Sequence, residues 1–253
     1  MAPNATSAGC PETTLIETEL LDGVAVIALN RPEKRNAIND AMRADLIQVL
    51  DWADRSADVR AIIITGRGKG FCAGGDIAAM KERLSAPAGR VGINGWQRQR
   101  RTHHLLTMLH DIPKPTIAAV NGAAAGLGCD LALCCDFVIG ASDATFVMSY
   151  VLRGLIPDGG GMYFLPRRVG MARAKELIFS GRMLSADEAL LINMIEQIAE
   201  PDSGDLEDAE LLLMPHDELL DAVGAGRVGV MGHAGAIAMV TATKAGFPVS
   251  DCS

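Results

Sequence analysis

Two glycine turns and two aspartates hold the parts of this chain that could do chemistry. The first turn lies in Val120-Asn121-Gly122-Ala123-Ala124-Ala125-Gly126-Leu127-Gly128-Cys129-Asp130. A short apolar run, Pro115 to Val120, leads into it and reads as a buried strand. An unbroken Leu-, Ala- and Cys-rich run, Leu127 to Cys135, leads out of it and reads as a buried helix. A helix start carries free N–H groups and a partial positive charge, so it suits an anion developing on a carbonyl oxygen. The second turn, Phe71-Cys72-Ala73-Gly74-Gly75-Asp76-Ile77, also follows an apolar run. Its small residues leave backbone N–H groups free to approach a ligand. Two such groups aimed at one oxygen form an oxyanion hole, in which losing a single donor costs about 3 kcal/mol. Asp130 and Asp158 each sit beside a glycine turn, Asp158 within Gly154-Leu155-Ile156-Pro157-Asp158-Gly159-Gly160-Gly161. A carboxylate beside a carbon that can form an enolate is a natural proton shuttle. Taken singly, each feature is also ordinary turn chemistry, and Asp130 could simply favour a helix start by its charge.

These parts must be positioned by regular elements. Thr13 to Glu19 alternates weakly, Val24 to Leu29 is strongly apolar, and Leu21-Asp22-Gly23 between them predicts a hairpin. Asn30 to Ile38 is a charged loop. Asn39 then caps a helix in which Met42, Leu46, Leu50 and Ala53 recur at helical spacing. Val59 to Thr65 predicts a buried strand. Ser85 to Trp96, richer in Pro, Gly and Ala, predicts a mobile loop, and Gln97 to His110 a helix that Ile112-Pro113 ends. Phe137 to Ile139 and Ala144 to Val147 predict short strands. Met162 to Val169, Arg173 to Phe179 and Ser185 to Ile192 predict helices, the last with a Ser185…Glu188 capping box. The order predicts mixed β/α layers with a helical C-terminal part. The division is a frayed tail over 1–12, with no signal-peptide character, a core over 13–195, and an atypical, partly helical region over 196–253. Glycines crowd Val223 to Gly232 and disfavour long helices there.

Composition narrows the partners. The chain has 253 residues, 49% of them hydrophobic, which allows one large core. A formal net charge of −8 argues against nucleic acid as the main partner, and no apolar run approaches the ~20 residues of a membrane span. The six cysteines contain no Cys-x-x-Cys pair, and three of them lie in the apolar stretch at 129–135. They read as reduced core thiols of a cytoplasmic protein rather than disulfides or zinc ligands. His103 and His104 are adjacent, so on a helix they point apart and make a poor metal pair. No metal site is expected.

As a set, Asn30-Arg31-Pro32-Glu33-Lys34-Arg35-Asn36-Ala37-Ile38, Phe71 to Ile77, Asn121-Gly122 with Gly126 to Ala132, and Gly154 to Gly161 resemble the crotonase (enoyl-CoA hydratase/isomerase) superfamily, in order and spacing, over roughly Leu15 to Glu200. The resemblance implies an α/β fold, a crotonase-like spiral of repeated ββα units with a helical C-terminal region. It also implies homotrimers or hexamers, and acyl-CoA thioesters as substrates without a separate cofactor. Carried over by position, the oxyanion donors are the N–H groups of Gly75 and Leu127. Lys34 and Arg35 fall near the CoA phosphates, where a cation makes physical sense, and Ala37 beside them falls among the substrate- or CoA-binding positions. Ala73, Gly74, Asp76 and Ile77 fall at the adenine pocket. Hydratases of the family use two Glu residues; here those positions hold Asp130 and Tyr150, and a phenol is no carboxylate base, so Tyr150 is expected among the substrate-binding residues instead. Asp158 instead matches an Asp of some isomerase members. The expectation is therefore movement of a double bond in an enoyl-CoA, with Asp158 as base, Gly75 and Leu127 stabilising the dienolate and Asp130 assisting.

Three alternatives stay open. One is an enoyl-CoA hydratase. Another is a weakly catalytic acyl-CoA binder, which the tyrosine and the unusual C-terminus allow. The third is a short-chain dehydrogenase, because Gly122, Gly126 and Gly128 after a strand mimic a dinucleotide turn. Against the last, Tyr150 is followed four residues on by Gly154 and Tyr163 by Arg167, so a Tyr-x-x-x-Lys pair is absent.

Overall fold

An Asp-Gly turn starts the fold. Ile16–Leu21 (β1) and Val24–Leu29 (β2) pair antiparallel across Asp22 and Gly23. Both turn residues have positive φ, 49° and 88°, the backbone twist that lets a two-residue loop join twisted strands. The computed structural model describes residues 9–87 and 89–199. The expected partly helical region falls outside the described residues from position 200 on, as does the tail over 1–8.

After the hairpin come Asp40–Arg55 (α1), Ala61–Gly66 (β3), Ile77–Leu84 (α2) and Arg90–Asp111 (α3). Thr116–Val120 (β4), Ala123–Ala125 (β5), Leu127–Cys134 (α4), Phe137–Ala141 (β6) and Thr145–Val147 (β7) follow. Gly161–Val169 (α5), Met171–Ser180 (α6), Met183–Ser185 (β8), Ala186–Leu191 (α7) and Gln197–Ala199 (β9) complete the described chain. One sheet has the order β1-β2-β3-β4-β6-β9, parallel throughout except for the first pair. β2 and β3 are buried at every position. A strand covered on both faces reads as a continuous apolar run, as both do here. A second layer joins β5, β7 and β8. Two single bridges extend its pairing, Ile38 with Gly75 and Cys72 with Ala124.

The layers make the repeat visible. β2 leads to Ile38 and then α1; β3 leads to Cys72–Gly75 and then α2; β4 leads to β5 and then α4. Each unit sends a strand through the main sheet, crosses the second layer and enters a helix. Gly75 and Leu127 therefore occupy related places, each where a second-layer segment turns into a helix.

Local sequence accounts for most element ends. Asn39 Oδ1 accepts the Met42 N–H at 2.8 Å and starts α1, whose buried face is Met42, Arg43, Leu46, Val49, Leu50 and Ala53. Ser185 Oγ accepts the Glu188 N–H at 3.2 Å and starts α7. The expected loop over Ser85 to Trp96 is a correction: α3 begins at Arg90 and runs for 22 residues. Gly92 and Gly95 weaken helix there by about 1 kcal/mol each. Extending a formed helix is cheap, however, and Leu105, Leu106 and Leu109 anchor its second half in the core. β9 lies just past residue 195 and pairs with β6, so the core outruns its expected boundary. β5 and β9 each have three residues, too short for an alternating pattern.

Candidate active site

The second layer aims backbone donors rather than side chains. Cys72 donates its N–H to the Ala123 carbonyl and accepts from Ala125, while Ile38 donates to the Gly74 carbonyl and accepts from Asp76. These bonds engage the peptides on either side of Gly75. The Gly75 N–H faces away from Ile38 and has no acceptor among the described residues. The Leu127 N–H opens α4 and, like any first-turn donor, has no intrahelical partner. The two turns meet closely. A methyl on Gly74, whose φ is +92°, would fall 3.3 Å from the Leu127 nitrogen and 2.6 Å from the Ala125 carbonyl. A methyl on Gly128 would collide with the Cys72 carbonyl. Gly126 has φ 52° and ψ −118°, a conformation essentially closed to residues with a Cβ. The glycines are thus what allow the two turns that carry these N–H groups to approach each other.

The loop at 30–38 braces the same turn. Asn36, fully buried, receives the Arg31 N–H and donates to the carbonyls of Arg67 at 3.0 Å and Gly70 at 2.8 Å. Arg35 accepts the Ala73 N–H through its carbonyl. Arg31 Nη1 donates to the Ala37 carbonyl at 2.6 Å and to Asp76 Oδ2 at 3.0 Å. Asp76 Oδ1 accepts the N–H groups of Ala78 and Ala79. Partial burial works against the charge of Asp76, but those N–H groups and Arg31 outweigh it and hold its pKa below the usual carboxylate value. Lys34, Arg35, Ala73 and Ile77 are exposed along this rim, with Ala37, Gly75 and Asp76 half-buried. The structure brings Lys34, Arg35, Ala37 and Ala73 to Ile77 together. The Asp76 carboxylate, however, is fully engaged in joining the two loops.

Tyr150 is placed elsewhere. Its hydroxyl donates to Asp130 Oδ2 at 2.6 Å, and a methyl on Gly126 would lie 3.8 Å from its ring. It belongs to the carboxylate cluster with Asp130 rather than to the 30–38 rim where Lys34, Arg35 and Ala37 lie. Asp130 is completely buried, and its Oδ1 has no bonded partner. The N–H groups of Gly159 and Gly161 face that carboxyl without closing a full hydrogen bond. Burial, opposed by the Tyr150 hydrogen bond and reinforced by the nearby charge of Asp158, pushes Asp130 up to about 7. Burial, then the neighbouring Asp130, pushes the Tyr150 phenol up as well. Asp130 thus keeps its proton to a far higher pH than an ordinary aspartate, with Tyr150 bonded to its Oδ2.

Asp158 rides on a turn wrapped around that carboxyl. A methyl on Gly159 would meet Asp130 Oδ2 at 2.5 Å and Leu127 Cδ1 at 2.6 Å, and one on Gly161 would collide with Asp130 Oδ1. Asp158 itself is half-buried, and its carboxylate makes no hydrogen bond among the described residues. Its backbone carbonyl is held from α3, by Gln99 Nε2 at 3.1 Å and His103 Nε2 at 2.8 Å. Sequence reasoning missed this pair. The available signal was their spacing of four on one helix face, but the carbonyl they hold is more than fifty residues away.

With this geometry in view, comparison with known proteins defines the class. A family model described as enoyl-CoA hydratase/isomerase matches residues 19–216, and the chain belongs to that family, the crotonase superfamily. It is 43% identical over 181 residues to the 1,2-epoxyphenylacetyl-CoA isomerase of Escherichia coli (strain K12), covering 72% of this chain and 68% of that protein. It is 41% identical over 179 residues to the short-chain-enoyl-CoA hydratase of Clostridium acetobutylicum, covering 70% of this chain and 66% of that protein. The fold matches the crystal structure of an enoyl-CoA hydratase from Bacillus anthracis with a TM-score of 0.71 and 29% identity, over 91% of this chain and 90% of that one. The protein is an enzyme of the hydratase/isomerase type that processes acyl-CoA thioesters, and the dehydrogenase reading falls away.

Proposed function

We propose that this enzyme moves a double bond in an enoyl-CoA from the β,γ to the α,β position. The carbonyl oxygen of the thioester sits between the Gly75 and Leu127 N–H groups. Asp158 takes the proton from C2, and the electrons of that C–H bond pass to the thioester oxygen, giving a dienolate. Asp158, now protonated, returns the proton at C4, so no net acid, base or oxidant is consumed. Burial raises the pKa of Asp130, and in its protonated form it keeps a second negative charge away from both Asp158 and the dienolate. Lys34 and Arg35 lie on the rim for the CoA phosphates, beside Ala37, Ala73, Gly74, Asp76 and Ile77.

The observation that carries this reading is the meeting of two unbonded N–H groups with an aspartate turn that abuts Leu127 and Asp130. Its test is Asp158→Asn assayed with 3-hexenoyl-CoA. The variant is expected to lose about a thousandfold in kcat, within the usual range for a positioned acid or base, and full turnover would overturn the assignment. Hydration is the second reading, favoured by relatives named hydratases. Measuring water addition to 2-hexenoyl-CoA beside double-bond movement in 3-hexenoyl-CoA separates the two. We also infer a trimer or hexamer, as in the family, supported by exposed Met171, Phe179 and Leu191 on α6 and α7. A cytoplasmic setting is supported by the buried free thiols of Cys72, Cys129, Cys134 and Cys135.

A further inference from the structure

The turn that carries Asp158 belongs to neither sheet. It is rich in glycine, lies against a buried carboxyl, and its aspartate and Asp130 repel each other when both are charged. Such a turn has little of its own to hold a reacting carboxylate in register. The bonds that do so come from α3. Gln99 Nε2, His103 Nε2 and the Asp158 carbonyl oxygen form a triangle with sides of 2.8, 2.9 and 3.1 Å.

The chemistry of that triangle makes it redundant. The Asp158 carbonyl can only accept, so its 2.8 Å contact places the His103 proton on Nε2. The ring and the Gln99 amide then both donate to that one oxygen. If either side chain is removed, the other donor remains on the carbonyl. We propose that Gln99 and His103 are positioning residues, a two-member clamp that fixes the base turn from the long helix and so sets the proton-transfer distance. The clamp rests on the reading of Asp158 as base. It acts through the Asp158 peptide and touches no reacting atom. Misplacing a reacting group by about 1 Å can cost a hundredfold in rate, so the clamp should act on kcat rather than on binding.

The test compares Gln99→Leu, His103→Leu and the double variant on 3-hexenoyl-CoA. It measures kcat, KM and deuterium uptake at C2 in heavy water, with a melting curve for each. Each single change is expected to lower kcat two- to threefold, because the other donor remains. The double change should lower kcat and C2 exchange about thirtyfold, beyond the product of the singles, with KM within twofold. Gln99→Leu combined with His103→Gln, which restores a donor, should return to within threefold of the single variant. If the double leucine variant does not fold, Gln99→Asn with His103→Asn shortens both arms while keeping amides. A double variant that keeps kcat within threefold while Asp158→Asn is inactive overturns the clamp alone. So does a loss that falls on KM, or one that the conservative variant does not rescue. Turnover by Asp158→Asn would instead overturn the base assignment on which the clamp rests.

Discussion

The turn at Phe71–Asp76 and the turn at Pro157–Gly161 both lie against Leu127, yet they are held by different means. The first is threaded into the second layer through Cys72 and Gly75, and its counterpart at Ala123–Leu127 is held through the same ladder. What it offers is peptide N–H, placed by backbone pairing that any side chains could support, provided glycines allow the approach. The second turn has no ladder. It offers a carboxylate, and its position depends on side chains from a distant helix and on packing against Asp130. In the proposed reaction the oxyanion edge is therefore written into the repeat of the fold, whereas the proton-transfer edge is an addition to it. One follows from topology and tolerates changes of side chain. The other is set by a handful of contacts that single substitutions can undo.

The largest blow to this contrast would come from Gly128→Ala. Its new methyl would press on the Cys72 carbonyl and Cβ, forcing apart the two turns that carry the donors. Overpacking of this kind costs about 1–3 kcal/mol. We expect kcat on 3-hexenoyl-CoA to fall by about a hundredfold, as loss of a donor does, with a lowered denaturation midpoint. Near-normal kcat in the folded variant would show that the ladder does not set the donor spacing.

The carboxylate edge is sharpened by pH. Asp130 titrates near 7 in the folded chain, well above an ordinary aspartate, with burial the leading cause. Between the ordinary carboxylate value and about 7 the folded state holds a proton that the unfolded state has released. Its contribution to stability is therefore complete at low pH and is lost as pH rises through about 7. Asp130→Asn keeps the shape and removes the titration. The stability of the wild type relative to this variant should fall as pH goes from about 4 to about 7 and level off above, measured by urea unfolding at each pH. A difference that is flat in pH, or that grows, would show that Asp130 is charged in the folded protein.

The smallest effect is expected at Leu127. A swap of similar volume, Leu127→Met, keeps the N–H and should cost under about 1.5 kcal/mol, with kcat within threefold. A tenfold loss of kcat without loss of fold would mean that the side chain, not the peptide, serves the reaction.

Several parts of this architecture are readable in the residues themselves. Asp22-Gly23 specifies the hairpin because few pairs tolerate positive φ twice. Asn39 and Ser185 specify helix starts because a short polar side chain can reach the donors two or three residues on. The apolar runs of β2 and β3 declare burial on both faces, and the glycines at 74, 126 and 128 declare a close approach of backbone without naming what approaches. Other parts are not readable. The helical state of Arg90 to Trp96 goes against its composition and follows from the anchored leucines further along α3. Strands of three residues, such as β5 and β9, have no period to read.

The site divides along the same line. That the two glycine turns expose backbone donors, and that Asp130 and Asp158 are the candidate proton carriers, follows from local residue types; the choice of Gly75 and Leu127 as the donor pair follows from the family resemblance. That Tyr150 bonds to Asp130, that burial lifts the pKa of Asp130 far above that of an ordinary aspartate, and that α3 grips the Asp158 carbonyl are decided by packing between segments many residues apart. Burial and proximity set those properties. They depend on which surfaces meet after folding, which no local stretch of residues encodes.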